Sequence, residues 1–349
     1  MEHCPSGRWE PAVNRLFDAS LVRIQHAPPS RPHEGRGFFG VTAIPPPDVT
    51  IQSLIDRAHE AKRDPHRGHL GASVAGAECS RKVWLGFHWA LAPAHSGRIL
   101  RIFRRGREEE DNVCADLESI GVTVTRQQER VDFGSHVSGS IDGVAVGVLG
   151  APKTEHLLEI KTHSLKSFVK LKDGVEKSHP MHWAQMQLYM LGLGLTRALY
   201  YAVCKNDDSI YTERVRAEPD KARAIVARAQ SIAVSPEAPP RISEDPTWWV
   251  CKMCDFHSLC HVTKKTDSVN CRTCAHSTAR PDSTWFCERW SDTIPEDAQH
   301  LGCPSHVVHP QLMDVPMESI GEPWHAAYGE RINGGPELPG AVSSAEVLR

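Results

Sequence analysis

Gly139-Ser140-Ile141-Asp142-Gly143 and Leu157-Leu158-Glu159-Ile160-Lys161 are the two stretches on which the reading of this chain turns. They belong to the apolar, β-rich runs Gly139–Val148 and Leu157–Lys161, and Gly150-Ala151-Pro152 between them suits a loop or hairpin connection. Side chains alternate across a strand, so Glu159 and Lys161 share one face while Ile160 turns into the core. An acid and an ammonium on one face can meet the same substrate phosphate. Phosphodiester hydrolysis needs a nucleophilic water and stabilised charge at phosphorus. Mg²⁺ or Mn²⁺ supplies both, and these hard ions prefer carboxylate oxygens. The lysine can orient the water or neutralise developing charge. Taken alone, acid-x-lysine also describes a surface ion pair on an exposed strand, so the surrounding sequence has to separate the two.

Upstream, Ile51, Leu54, Ile55 and Ala58 recur at helical spacing and predict a helix over Thr50–Lys62. Further helices are expected at Cys79–Ala90 and from Ile99 to Ile120, the latter ending at Gly121. Val122–Thr125 and Arg130–Phe133 read as strands. Downstream, Pro180–Leu193 is helical with Pro180 in its first turn. Ala198–Val203 and Ile210–Val215 are strands around the turn Lys205–Ser209, and Asp220–Ile232 is a helix. This order describes an α/β fold, a mixed sheet flanked by helices, followed by a cysteine-rich region. The expected organisation is a proline-rich leader over 1–48, an α/β domain over 49–262, a small metal-binding module over 263–310 and a tail over 311–349.

The 349 residues carry a net charge of −3, so the chain is not globally basic and a nucleic-acid partner must be met by a local patch. Two patches flank the acidic candidates: Arg98, Arg101, Arg104, Arg105 and Arg107, then Lys161, Lys166, Lys170, Lys172 and Lys177. Arg101, Arg104, Arg105, Lys166 and Lys170 are the DNA-backbone candidates, against the alternative of solvated charge. His163, Phe168 and Trp183 are candidates for stacking on bases, with core packing the alternative for Trp183. No apolar run reaches the length of a membrane span; Met190–Val203 is short and carries Arg197. Glu2, Arg8 and Glu10 interrupt any signal-peptide pattern over Met1–Ala12, so a cytoplasmic location is expected.

Two more motifs give context. Gly106-Arg107-Glu108-Glu109-Glu110 lies on the helix before the strands, and Gln185 and Tyr189 stand four apart on one face of the helix after them. Trp183, Met186 and Met190 can cover that helix's buried side. In order, Glu110, Asp142, Glu159-x-Lys161 and Gln185-x-x-x-Tyr189 resemble the PD-(D/E)XK nucleases, and more narrowly their RecB-type branch, over roughly Thr50 to Cys260. The resemblance implies a restriction-endonuclease-like sheet. It implies Mg²⁺ or Mn²⁺ held by Glu110, Asp142, Glu159 and the Ile160 carbonyl. It makes Lys161 catalytic, with Gln185 and Tyr189 contacting DNA or orienting the site. One departure stands out: many relatives carry a His in the motif around Gly106, where this chain has Arg107 and Glu110.

Eleven cysteines are unevenly placed, seven of them between Cys251 and Cys303. In a reducing compartment such clustering points to metal or redox chemistry rather than disulfides. Cys251-x-x-Cys254 with Cys260 offers three thiolates, and Cys79 can add a fourth from before the core. This layout is similar to the iron–sulfur nucleases of the RecB-type branch, the CRISPR-associated exonucleases and the AddB-type nucleases among them. It implies a [4Fe–4S] cluster on Cys79, Cys251, Cys254 and Cys260, with zinc on the same thiolates as the alternative. Cys271-x-x-Cys274, Cys287 and Cys303 form a second set that reads as structural Zn²⁺ or a second cluster, with His276, His306 and His309 as spare ligands and Trp285 and Trp290 packed over it. Cys114 and Cys204 read as core.

The expected function is a metal-dependent deoxyribonuclease, an exonuclease on DNA ends or single strands, in recombination, repair or phage DNA processing, where a recombination or replication protein is a candidate partner. Two alternatives stay open: a catalytically weak DNA-binding accessory of a larger nuclease or integration complex, and a zinc-tail nucleic-acid-binding regulator.

Overall fold

The computed structural model describes residues 49–92, 95–313, 317–319, 326–328 and 331–349. The leader expected over 1–48, with Cys4, lies outside the described residues. Ile55–Arg349 packs as one unit.

Helix α1 (Ile51–Glu60) is followed by the short β1 (Leu70–Gly71), α2 (Ala72–Ala75), α3 (Ser80–Phe87) and the long α4 (Gly97–Ser119). Then come β2 (Thr123–Thr125), β3 (Arg130–Gly134), β4 (Val137–Ser140), β5 (Gly143–Val146) and β6 (His156–His163). The short α5 (Leu165–Phe168) and α6 (Val175–Ser178) lead to α7 (Pro180–Leu193), β7 (Arg197–Cys204), β8 (Ile210–Arg216) and α8 (Pro219–Ala233). The main sheet has the order β2-β5-β6-β7-β8, with β6 and β7 parallel and the other pairs antiparallel. A parallel pair needs a long crossover, and α5 to α7 supply it.

One expectation is corrected. Gly139–Val148 is not a single strand: β4 pairs with β1 and β3 in a separate three-stranded sheet, whereas β5 joins the main one. The chain bends at Ile141-Asp142 as it changes sheets. Apolar alternation continues through the bend, so the sequence pattern alone does not reveal a change of partner.

Alternation along β6 and β7 sorts the core into two layers. Leu157, Ala198, Tyr200 and Ala202 pack with Met186, Leu188 and Met190 of α7. Leu158, Ile160, Leu199, Tyr201 and Val203 pack with Val113, Cys114 and Leu117 of α4. Helix α7 is buried along Trp183–Met190, as expected of an element apolar all round. Pro180 occupies its first turn, and Gly194, at φ 68°, closes it in the left-handed region that glycine adopts without strain.

The cysteine-rich segment forms a small sheet of β9 (Ser277–Ala279), β10 (Trp285–Cys287) and β11 (Asp292–Thr293). Its Trp285, Cys287, Ile294, Val307 and Val308 share the large core with Trp84, Leu85 and Phe87 of α3. Arg272 fastens the two together. It is 1 % exposed and donates to Gln299 Oε1 at 2.9 and 2.7 Å, to the Phe87 carbonyl at 3.0 Å and to the Gly68 carbonyl at 2.7 Å. Its guanidinium stands 3.8 Å from the centre of the Trp89 ring and 4.8–4.9 Å from those of Trp285 and Phe87. Burial pulls its pKa down to about 9, with the charge of Glu296 opposing the fall.

Among the described residues no helix is long and apolar enough to cross a membrane.

Candidate active site

The bend between the two sheets and the middle of β6 place the acids. The Ile160 amide donates to Asp142 Oδ2 at 2.7 Å, which pins the bend to β6. Glu159 and Lys161 lie on the α7 face of β6, and Ile160 lies in the opposite layer, as the two-residue period requires. Lys161 Nζ pairs with Glu159 Oε1, stands 3.8 Å from Asp142 Oδ2 and donates to the Ile160 carbonyl at 3.0 Å. Asp142, Glu159 and the Ile160 carbonyl therefore surround one cation position, and the ammonium fills it.

Glu159 is 0 % exposed. Beyond the Lys161 ion pair, neither of its oxygens has a partner among the described residues. Burial pushes its carboxyl up to about 7; Lys161 pulls against that rise and Asp142 adds to it. Burial works against the Lys161 charge too, but the carboxylates of Glu159 and Asp142 outweigh it and hold the ammonium above its ordinary range. Glu110, on α4, accepts from Gln128 Nε2 at 3.1 Å. Burial, then the Asp142 charge, raises its carboxyl, with Lys161 opposing, so Glu110 lies within electrostatic reach of the other two acids.

Gln185 and Tyr189 are buried on α7 and bonded to each other. Burial, reinforced by the charges of Glu159 and Asp142, raises the Tyr189 phenol. A Cβ at Gly139 would run into the Tyr189 hydroxyl, so the glycine lets this ring approach β4. Trp183 is buried under Lys221, 5.0 Å from its ring centre, and His163 is 4 % exposed; neither is open to a base.

The sequence reading missed Tyr200, His179 and His182, and gave His163 a stacking role rather than a place in this cluster. Tyr200 is the register partner of Glu159 across the parallel pair. His163 Nε2 and His182 Nδ1 stand 2.8 and 2.9 Å from its hydroxyl. Ser167 Oγ links His163 Nδ1 (3.0 Å) to His179 Nε2 (2.9 Å). Burial, then neighbouring histidine and lysine charges, brings His163 down to about 4; burial, then Lys161, brings His182 to about 3. These rings are thus neutral hydrogen-bonding groups beside the charged triad. Their only signal in the sequence was that His163 continues the Glu159, Lys161 face; the contribution of β7 depends on register.

The donors suit a hard divalent cation: a peptide oxygen and two carboxylates, one of them buried and, among the described residues, without a partner beyond Lys161. Among the described residues no three His, Cys, Asp or Glu side chains stand as a ready metal-binding group. The peptide oxygen of Ile160 is the third oxygen facing this position.

The cysteine sets are gathered but not closed. Cys79 caps α3, its sulfur accepting from the Lys82 amide at 3.4 Å. After burial, the charges of Cys79 and Cys254 raise the Cys251 thiol, and Arg81 opposes the rise at Cys260. In the second set burial, then Cys274, Cys303 and Cys287, pushes Cys271 up to about 12. Of the spare ligands, His306 bonds Ser344 Oγ at 2.7 Å and the Asn270 carbonyl at 3.0 Å, and His309 bonds the Pro236 carbonyl at 3.1 Å, so both are engaged elsewhere. Trp285 packs in the core and Trp290 is half exposed beside Arg289. Cys114 and Cys204 are buried.

Of the basic candidates, Arg101 is tied to Asp56 and Arg104 to Glu108 at 3.4 Å, while Arg105, Lys166 and Lys170 are exposed.

No family model and no curated protein matches the chain. Among solved structures it is similar to SSO0001 (15% identity, TM-score 0.36, covering 60% of this chain and 95% of that one). It is also similar to an alkaline exonuclease from Laribacter hongkongensis (16%, TM-score 0.37, 52% and 90%) and to a phage-related exonuclease from Haemophilus somnus 129PT (14%, TM-score 0.30, 44% and 77%).

Proposed function

We propose that the chain is a nuclease, a phosphodiester hydrolase dependent on Mg²⁺ or Mn²⁺, acting on DNA ends or single strands. The observation that carries this is the cation position faced by Asp142, Glu159 and the Ile160 carbonyl, which Lys161 Nζ occupies. A divalent ion bound there would supply Lewis acidity and a more acidic water. Asp142 would hold it from the bend between the two sheets and Glu159 from β6, the Ile160 carbonyl would complete that side, and Glu110 would approach from α4. Lys161 is the group able to orient the attacking water or neutralise charge growing on the phosphate. Tyr189, fixed by Gln185, and Tyr200, fixed by His163 and His182, are positioning residues that keep the acidic face in place. Arg105, Lys166 and Lys170 are exposed cations suited to a phosphate backbone.

The cofactor reading goes with it: a [4Fe–4S] cluster on Cys79, Cys251, Cys254 and Cys260, and Zn²⁺ on Cys271, Cys274, Cys287 and Cys303. A cytoplasmic location belongs to the same proposal.

The test is cleavage of end-blocked single- and double-stranded DNA with Mg²⁺ or Mn²⁺, on anaerobically purified protein whose iron and zinc are measured. Wild type should cut, and Asp142→Asn and Lys161→Ala should fall on the order of a hundredfold or more. DNA binding without cleavage under every condition would remove the nuclease reading, and a colourless, iron-free protein would remove the cluster.

A further inference from the structure

The inference rests on the metal-dependent reading above. Three oxygens, Glu159 Oε1, Asp142 Oδ2 and the Ile160 carbonyl, point at one place, and Lys161 Nζ occupies it. These are the atoms a divalent ion would use. We propose that Lys161 is the resident counter-cation of this acidic pair, that a divalent ion binds only by displacing it, and that the displaced ammonium is thereby delivered to the substrate side of the site.

Three features support the exchange. Glu159 is fully buried and held in the middle of β6, so it cannot turn to solvent when it loses a partner. A buried carboxylate left unpaired is strongly disfavoured, so one cation or the other must face it. Like charges cannot share the position, because an ammonium and a divalent ion in contact with the same carboxylates repel each other at a few ångströms. Lys161, by contrast, can leave: its side chain is 25% exposed and carries a flexible four-carbon stem. The site thus has two complete states, one closed by the protein's own ammonium and one by the metal. Only in the second is Lys161 free to meet a phosphate.

The exchange predicts that a residue read as catalytic opposes metal binding. Mn²⁺ binding to the full-length protein is measured by calorimetry at about pH 8.5, where carboxylates are ionised, for wild type, Lys161→Met, Lys161→Gln and Asp142→Asn. Mutually exclusive ligands couple negatively, so both lysine variants should bind Mn²⁺ on the order of tenfold more tightly than wild type. Unchanged or weaker binding by folded Lys161→Met and Lys161→Gln overturns the exchange. Wild type gives a second readout that needs no variant: MnCl₂ should increase acetylation of Lys161 by acetic anhydride, read by peptide mass spectrometry. Labelling that is unchanged or suppressed by Mn²⁺ also overturns it. If wild type binds no Mn²⁺, or if Asp142→Asn binds it as well as wild type does, the metal-dependent reading falls and takes the exchange with it.

Discussion

Replacing Glu159 with Gln should stabilise the protein at mildly alkaline pH and leave it unchanged in acid. The Glu159 carboxyl, buried, titrates near 7 rather than at its ordinary 4.5. Between those values the folded chain retains a proton that the unfolded chain has released. Stability therefore falls as pH rises through this window, the reverse of an ordinary ion-paired acid. At about 1.4 kcal/mol for each pH unit, the rise from 4.5 to about 7 is worth roughly 3 kcal/mol above pH 7. Lys161 is already included, because its attraction holds the value down rather than up. Gln has the shape of the protonated acid and no charge to desolvate, so Glu159→Gln should avoid the whole penalty. Urea unfolding of both proteins, without divalent ions, from about pH 4.5 to 8.5 gives the comparison. The two should coincide at the acid end and separate by roughly 2–3 kcal/mol at the alkaline end, with the variant the more stable. A variant less stable than wild type at pH 8, or a gap independent of pH, would refute the reasoning and show that the Lys161 ion pair outweighs burial. A protein that keeps a destabilising acid in its core has given up stability for a site.

Two other perturbations test the frame around the site. Arg272→Met should cost roughly 3 kcal/mol in urea unfolding, because it leaves acceptors on Gln299, Phe87 and Gly68 unpaired; a neutral or stabilised variant would mean that burying the unpaired guanidinium costs as much as its contacts return. Gly139→Ala should drive the Tyr189 ring away from β4, lowering cleavage on the order of tenfold or more with little effect on the far-ultraviolet spectrum, and full activity would show that Tyr189 is not a positioning residue.

Several elements were legible in the sequence because their signals are local. Pro180 and Gly194 bracket α7, and the observed helix is the one expected. The two-residue period put Glu159 and Lys161 on one side of β6 and Ile160 on the other, and the structure agrees. Cys114 and Cys204 fall in the core as their apolar neighbours implied. Burial decided against the stacking roles of His163 and Trp183, and Asp56 took Arg101 out of the free cations; neither partner is visible from local pattern.

The sequence by itself determined which residue types stand two and four apart, and so which acids, lysine and tyrosine have a common side available to them. Tertiary structure alone decided that the strand carrying Asp142 breaks and changes sheets, so that the bend hydrogen-bonds to Ile160. It also decided that Tyr200 stands in register with Glu159 and brings the histidines with it. The physical reason is that alternation is a property of one strand, whereas pairing partner and register are set by long-range contacts whose loop-closure entropy and packing no short stretch of sequence records.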